Sequence, residues 1–167
     1  MADSVRAFAE EAERFYSWVS SSPQGEEALA DGLRRVVALY AAALSLPKPF
    51  APDLPDEDSP AQVNESERIA VHRWASGLLL GCYSEIFNPL QVPPEEPVVG
   101  HLGDDLGDIY GDVLEGLRLF QSGKREEAIW EWGFGFQHHW GEHATCAIRA
   151  LHAYLMENCP YRLSPVT

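Results

Sequence analysis

Apolar residues recur every three or four positions along most of this chain, and that spacing constrains the fold more than any other feature. Val5, Phe8, Ala12 and Phe15 form one such stripe, and similar stripes occur in later segments. This period is typical of an amphipathic α-helix, whereas a half-buried strand alternates with a period of two. The sequence therefore predicts an all-α helical bundle of about five helices, covering approximately residues 4–20, 26–44, 64–83, 104–120 and 124–157.

Two proline-rich stretches, at about residues 46–62 and 88–100, separate the predicted helices. Proline cannot continue a helix, and both stretches are long for simple connections, so we expect packed or functional loops there. Asn64, with Glu67 three residues later, predicts a capping box that opens the third helix. We expect a single helical domain over residues 1–167.

The last two predicted helices form a central antiparallel hairpin that turns at Gly123. Trp130 and Phe134 alternate with Trp132 and Phe136, as side chains of a strand would. Helical spacing of apolar residues continues beyond this segment, however, which favours one helix that bends near residue 141. On that helix the two aromatic pairs lie on opposite sides, which predicts a position in the middle of the bundle.

Composition excludes several classes of function. The chain has 167 residues, of which 46% are apolar, and a formal net charge of −14. Such a charge repels phosphate backbones and anionic lipids, so we expect neither nucleic-acid nor membrane binding. Cys82, Cys146 and Cys159 share no close spacing, which favours reduced thiols and a cytoplasmic location.

Carboxylates and imidazoles meet in the predicted hairpin. Asp108 and His139 lie almost equally far from Gly123 along the chain. The distances of Asp105 and His143 from Gly123 are also similar. In an antiparallel pair these side chains reach similar heights. The candidate polar cluster comprises Asp105, Asp108, Asp112, His139 and His143.

Two interpretations of this cluster remain open. Carboxylates facing a His-x-x-x-His pair are suitable ligands for Zn, Mn, Fe or Ni, and the candidate metal ligands are His139, His143, Asp108 and His72. In the alternative, the histidines donate ring N–H groups to the carboxylates and satisfy buried polar atoms without any metal.

Several short segments together resemble a known family. They are residues 39–47, 83–89, 103–110, 127–132, 139–143 and 147–152, and they carry the signatures DDLxDIY, WEW and HWGxH. With these signatures the chain resembles a bacterial all-helical family known as a domain of unknown function. The resemblance implies a helical fold and a bacterial origin, and it implies no particular activity.

Three histidines carry a second, weaker similarity. His72, His139 and His143 occur in the order seen in the DinB-like family of four-helix bundles, which takes one histidine from an early helix and a His-x-x-x-His pair from a late one. This similarity implies a divalent metal held by the three rings.

These observations favour a non-catalytic cytoplasmic protein that acts by partner binding or regulation, with another protein as its partner. No glycine-rich phosphate loop is visible, and no serine or cysteine stands beside a suitable base. The alternative is a metal-dependent hydrolase or transferase that uses the His/Asp cluster. The sequence decides neither whether the chain is an enzyme nor its oligomeric state.

Overall fold

The computed structural model describes residues 2–48 and 61–159, and the predicted all-α bundle is confirmed. Within these residues there are six helices and one two-stranded antiparallel ribbon. In chain order the elements are α1 (Ala2–Ser20), α2 (Gly25–Ala43), α3 (Glu65–Ala75), β1 (Cys82–Glu85), β2 (Val98–His101), α4 (Leu102–Gln121), α5 (Arg125–His138) and α6 (Trp140–Asn158). Residues 49–60, most of the first predicted proline-rich loop, lie outside the described residues.

Helix α4 lies at the centre and contacts α1, α3, α5 and α6. Its inward residues Leu106, Ile109 and Val113 are buried, as is the stripe predicted for α1. Burial of such side chains contributes about 1.5–3 kcal/mol each relative to exposure, so these stripes supply the main driving force for the bundle. Among the described helices, none has the length and hydrophobicity that a membrane crossing needs.

Helix α3 begins as predicted and ends early. Asn64 Oδ1 accepts from the Glu67 N–H at 3.0 Å, and the Glu67 carboxylate accepts from the Asn64 N–H at 3.0 Å, which confirms the capping box. The prediction that this helix continues to residue 83 is wrong, because it ends at Ala75. Glycines at 77 and 81 come next, and burial there alternates from residue to residue, with Leu79 53% exposed between two buried leucines.

A strand occupies the end of the predicted third helix. β1 pairs antiparallel with β2, with Tyr83 opposite Gly100. The second proline-rich loop is therefore shorter than the predicted 88–100, because Val98 already belongs to β2.

The predicted helix over 124–157 is two helices, and His139 separates them. His139 has φ −148° and ψ −86°, and α6 begins at Trp140. A Cβ atom at position 141 would lie 2.1 Å from the carbonyl oxygen of Phe136. The first turn of α6 therefore lies so close to the last turn of α5 that only glycine fits at Gly141.

Helix α5 is helical as predicted, despite its alternating aromatic residues, but it is not buried on both sides. Trp132 is fully buried, whereas Phe134 is 45% exposed. Trp130 stacks on Phe134 with ring centroids 4.7 Å apart, and His138 continues the row at 4.6 Å from Phe134. The prediction of a central position is wrong for α5, because α4 occupies the centre and the second aromatic face of α5 points outward.

Candidate functional site

Two helices and one junction bring the predicted polar residues together. Asp105, Asp108 and Asp112 succeed one another along α4 at helical spacing, so they share one flank. His139 lies at the junction of α5 and α6, and His143 lies one turn further, inside α6. The junction thus carries the two rings over the acidic flank of α4.

His143 contacts two of the carboxylates. Its Nδ1 lies 3.0 Å from Asp105 Oδ1, and its Nε2 lies 3.4 Å from Asp108 Oδ2. An ionised carboxylate can only accept, so the Nδ1 atom carries a proton that it donates to Asp105. On a neutral ring the lone pair of Nε2 then faces a carboxylate oxygen, and a second proton on the ring or a cation between the two atoms would relieve their repulsion.

His139 has the same kind of support from a different carboxylate. Its Nδ1 lies 2.8 Å from Asp112 Oδ2, and its ring meets the ring of His143 edge-on with centroids 5.0 Å apart. Gly135 makes room for this contact, because a Cβ there would lie 3.0 Å from Asp112 Oδ2 and 2.9 Å from the ring of Trp140.

Tyr83 completes the environment of Asp105. Its hydroxyl donates to Asp105 Oδ2 at 2.6 Å, so this carboxylate, only 4% exposed, is held from two sides. The Tyr83 ring lies across Gly100 of the paired strand, where a Cβ would come within 2.6 Å of it. Sequence reasoning missed Tyr83 because it placed the residue on a helix. The one available signal was the glycine at position 100, at the end of a proline-rich stretch.

Burial and hydrogen bonding shift the proton affinities of this group. Burial raises the pKa of Asp105, while hydrogen bonds from His143 and Tyr83 oppose that shift. The hydrogen bond to Asp105 raises the pKa of His143, against the effect of burial. Burial and the bond to Asp105 also raise the pKa of Tyr83, so its hydroxyl stays protonated and remains a donor.

Three of the predicted residues converge closely enough to hold a metal ion. Asp108, His139 and His143 each offer a ligand atom, and these atoms lie within 4.8 Å of one another. Zinc bonds of about 2.1 Å in a tetrahedral site place neighbouring ligand atoms about 3.4 Å apart. The distance of 3.4 Å between His143 Nε2 and Asp108 Oδ2 already has this value.

Three other predicted residues lie outside that triad. Asp105 and Asp112 each accept from the Nδ1 atom of one histidine and so hold the two rings. His72 faces away, since its Nδ1 lies 3.3 Å from Asp104 Oδ1 and its ring packs on α4 at Gly107. The structure therefore does not bring His72 into the same group as the triad.

Comparisons with known proteins agree with this architecture. The crystal structure of protein BF1032 from Bacteroides fragilis is similar, with a TM-score of 0.74, 22% sequence identity, and coverage of 90% of this chain and 91% of that chain. At this identity the similarity shows the fold alone. Comparison with curated proteins finds no significant match. Residues 1–157 match the family described as Domain of unknown function (DUF5063), and the chain therefore belongs to this family.

Proposed function

We propose that this protein binds a divalent transition-metal ion through Asp108, His139 and His143, and that the bound ion serves a hydrolytic reaction. Two imidazoles and one carboxylate are a ligand set that suits Zn, Mn, Fe or Ni.

The orientation of the two rings carries this proposal. In both histidines Nδ1 is held by a carboxylate outside the triad, Asp112 for His139 and Asp105 for His143. Metal-ligating histidines usually donate their second ring nitrogen in this way, which fixes the tautomer and directs the lone pair toward the ion. In His143 the remaining nitrogen, Nε2, faces Asp108, so the ring already presents a second nitrogen to a carboxylate of the triad.

Three protein ligands leave coordination positions open, which distinguishes catalytic sites from closed structural ones. A zinc ion held by these three residues would lower the pKa of a coordinated water to about 7 and so would supply hydroxide at neutral pH. The chain's own contribution is to hold the rings still: Asp105 and Asp112 fix the imidazoles, and Tyr83 fixes Asp105.

The competing explanation is a protonated His143 shared by Asp105 and Asp108. It accounts for the same two distances by placing a second proton on the ring. The explanations differ in what a mutation removes. Loss of a metal ligand abolishes metal binding, whereas loss of a purely structural hydrogen bond only lowers stability.

Elemental analysis of untagged protein, purified without chelators, tests the proposal. We expect about one equivalent of Zn, Mn, Fe or Ni, absent from His139→Ala and Asp108→Asn. His139 is suitable for truncation because nearly half of its side chain is exposed, so its loss leaves no large cavity. Thermal unfolding of each variant shows whether it still folds.

His138→Ala is the matched control. This neighbouring histidine is also exposed, and its ring contacts Phe134 rather than the acidic flank of α4. The control should retain the metal. A protein that holds no metal after incubation with each ion and removal of the excess would overturn the proposal, as would equal metal loss in the His138→Ala protein.

One observation favours partner binding as a second candidate function. The outward row of Trp130, Phe134 and His138 on α5 presents aromatic surface, and aromatic side chains are enriched among the residues that dominate protein interfaces. If α5 docks another protein, Phe134→Asp should release a co-purifying protein that the control Gln137→Asp retains. Equal recovery with both variants would exclude this face as the interface.

A further inference from the structure

A cleft opens beside the proposed metal ligands. It lies between the β-ribbon and the first turns of α4 and α6, and its volume is about 260 Å³. His143 is one of its lining residues, so a compound bound there lies next to the triad. Sites for drug-sized ligands have volumes of about 300–1,000 Å³, so this cleft suits a smaller molecule or a single terminal group.

The charges in the cleft are almost all negative. Four of the lining residues carry carboxyl groups, and none is a lysine or arginine. The helix N-termini at the cleft would attract anions, but each already has acidic residues in its first turn: Asp104 and Asp105 on α4, and Glu142 on α6. The cleft therefore repels phosphate and carboxylate ligands and favours a cation.

A bound metal ion does not reverse that preference. Asp105, Asp108 and Asp112 together place three carboxylates around the proposed ion, which exceeds the charge of a divalent cation. A cationic ligand can therefore occupy the cleft while the metal is present.

The lining carboxylates differ in their hydrogen-bond and ion-pair partners within the protein. Glu85 accepts from the Cys146 thiol at 3.1 Å, Asp104 lies 3.3 Å from a ring nitrogen of His72, and Asp105 accepts from His143 and Tyr83. Within the described ranges, Glu142 makes no side-chain hydrogen bond or ion pair with the protein. Glu142 is thus the carboxylate that remains to receive a cation.

Two of the side chains that line the cleft are apolar, and they form the apolar wall. These are Phe87 and Val99, which are 64% and 68% exposed. Exposed apolar side chains inside a concave site stabilise an apolar part of a ligand.

We propose that this cleft binds a small primary amine with a short apolar group, in which Glu142 receives the ammonium and Phe87 with Val99 contacts the apolar part. The inference rests on the proposed function, in that the amine-bearing compound is the substrate class brought to the metal site.

Calorimetric titration of the metal-loaded full chain tests the inference. The probes are n-butylammonium chloride, sodium butyrate and 1-butanol, which share an apolar chain and differ in charge. We expect saturable binding of butylammonium alone. Glu142→Gln should weaken that binding at least about tenfold, since it removes a charged hydrogen-bond acceptor. Glu157→Gln, a change of an exposed carboxylate near the other end of α6, should leave binding unchanged.

A second variant separates the apolar contact from the charge. Phe87→Ser should weaken the binding of butylammonium. Methylammonium, which lacks the longer apolar chain, should bind more weakly than butylammonium, and the same substitution should leave its binding unaltered. Butyrate binding as tightly as butylammonium would overturn the inference, as would the absence of any butylammonium binding or an unaffected Glu142→Gln protein.

The metal content of the same samples keeps the two proposals distinguishable. Protein that holds metal but binds no butylammonium contradicts the amine cleft and leaves the metal site standing. Protein without metal contradicts the proposed function, and its titration with butylammonium still tests the cleft, because Glu142 and the apolar wall are not among the metal ligands.

Discussion

Glu131 provides a prediction whose size and pH window can be worked out from the structure. Burial raises the pKa of its carboxyl from 4.5 to about 7, and the nearby Glu115 and Asp112 carboxylates add to the shift. The folded protein therefore keeps this proton to a higher pH than the unfolded chain does. Folding takes up a proton between pH 4.5 and about 7, so the free energy of unfolding falls as the pH rises through that window.

The magnitude depends on the size of the shift. A rise of about 2.5 units corresponds to at most about 3.4 kcal/mol above pH 7. Glu131 is only partly buried, so water screens the repulsion and we expect roughly 1.5 kcal/mol. Glu131→Gln removes the ionisation and should therefore be more stable than the unmodified protein at pH 8 by about this amount, with little difference at pH 4.5.

Urea denaturation of both proteins at pH 4.5 and pH 8 measures this difference. Glu126→Gln, a change of an exposed glutamate on the same helix, is the control and should show no comparable pH dependence. A stability difference between Glu131→Gln and the unmodified protein that is the same at both pH values would refute the reasoning, because ionisation of Glu131 would then play no part.

Three further variants test the packing and the support of the site. Gly116→Ala should lower the free energy of unfolding by about 2–4 kcal/mol in urea denaturation, because a Cβ there would lie 2.2 Å from the buried Trp132 Nε1. Tyr83→Phe removes the hydroxyl bound to Asp105 and should weaken metal affinity about tenfold in a chelator competition, while circular dichroism shows an unchanged helical content. Asp112→Asn should weaken metal affinity by about 10–100-fold in the same assay, and unchanged affinity would show that this carboxylate does not orient the ring it contacts.

The helical part of the fold was predictable because its signals are local. The stripe beginning at Val5 and the capping box at Asn64 depend on residues within a few turns of one another, and both structures form as expected. The ribbon was not predictable in this way. Cys82–Glu85 becomes a strand by pairing with Val98–His101, and no periodicity within four residues reveals such a distant partner.

The candidate site also combines contacts that the sequence predicts with contacts that it does not. The hairpin places Asp105 close to His143, as their nearly equal spacing about Gly123 predicts. The contact of His139 with Asp112 depends instead on the break between α5 and α6, where Gly141 lies against the carbonyl group of Phe136. A bend near residue 141 is expected from the sequence, but the spacing of apolar residues does not predict that the helix ends and restarts at His139, where the backbone is not helical.

The close contact at Gly141 has a consequence for how chain length can vary in this family. Each residue added to a helix rotates the rest of that helix by about 100° and advances it by about 1.5 Å. The contact between Gly141 and the Phe136 carbonyl leaves no room for an extra residue in this segment, so an insertion there would turn the ring of His143 away from α4. The connection between β1 and β2 carries no such constraint on the two rings. Relatives that retain the triad should therefore vary in length at that connection and stay constant in length from the α4–α5 turn to the start of α6.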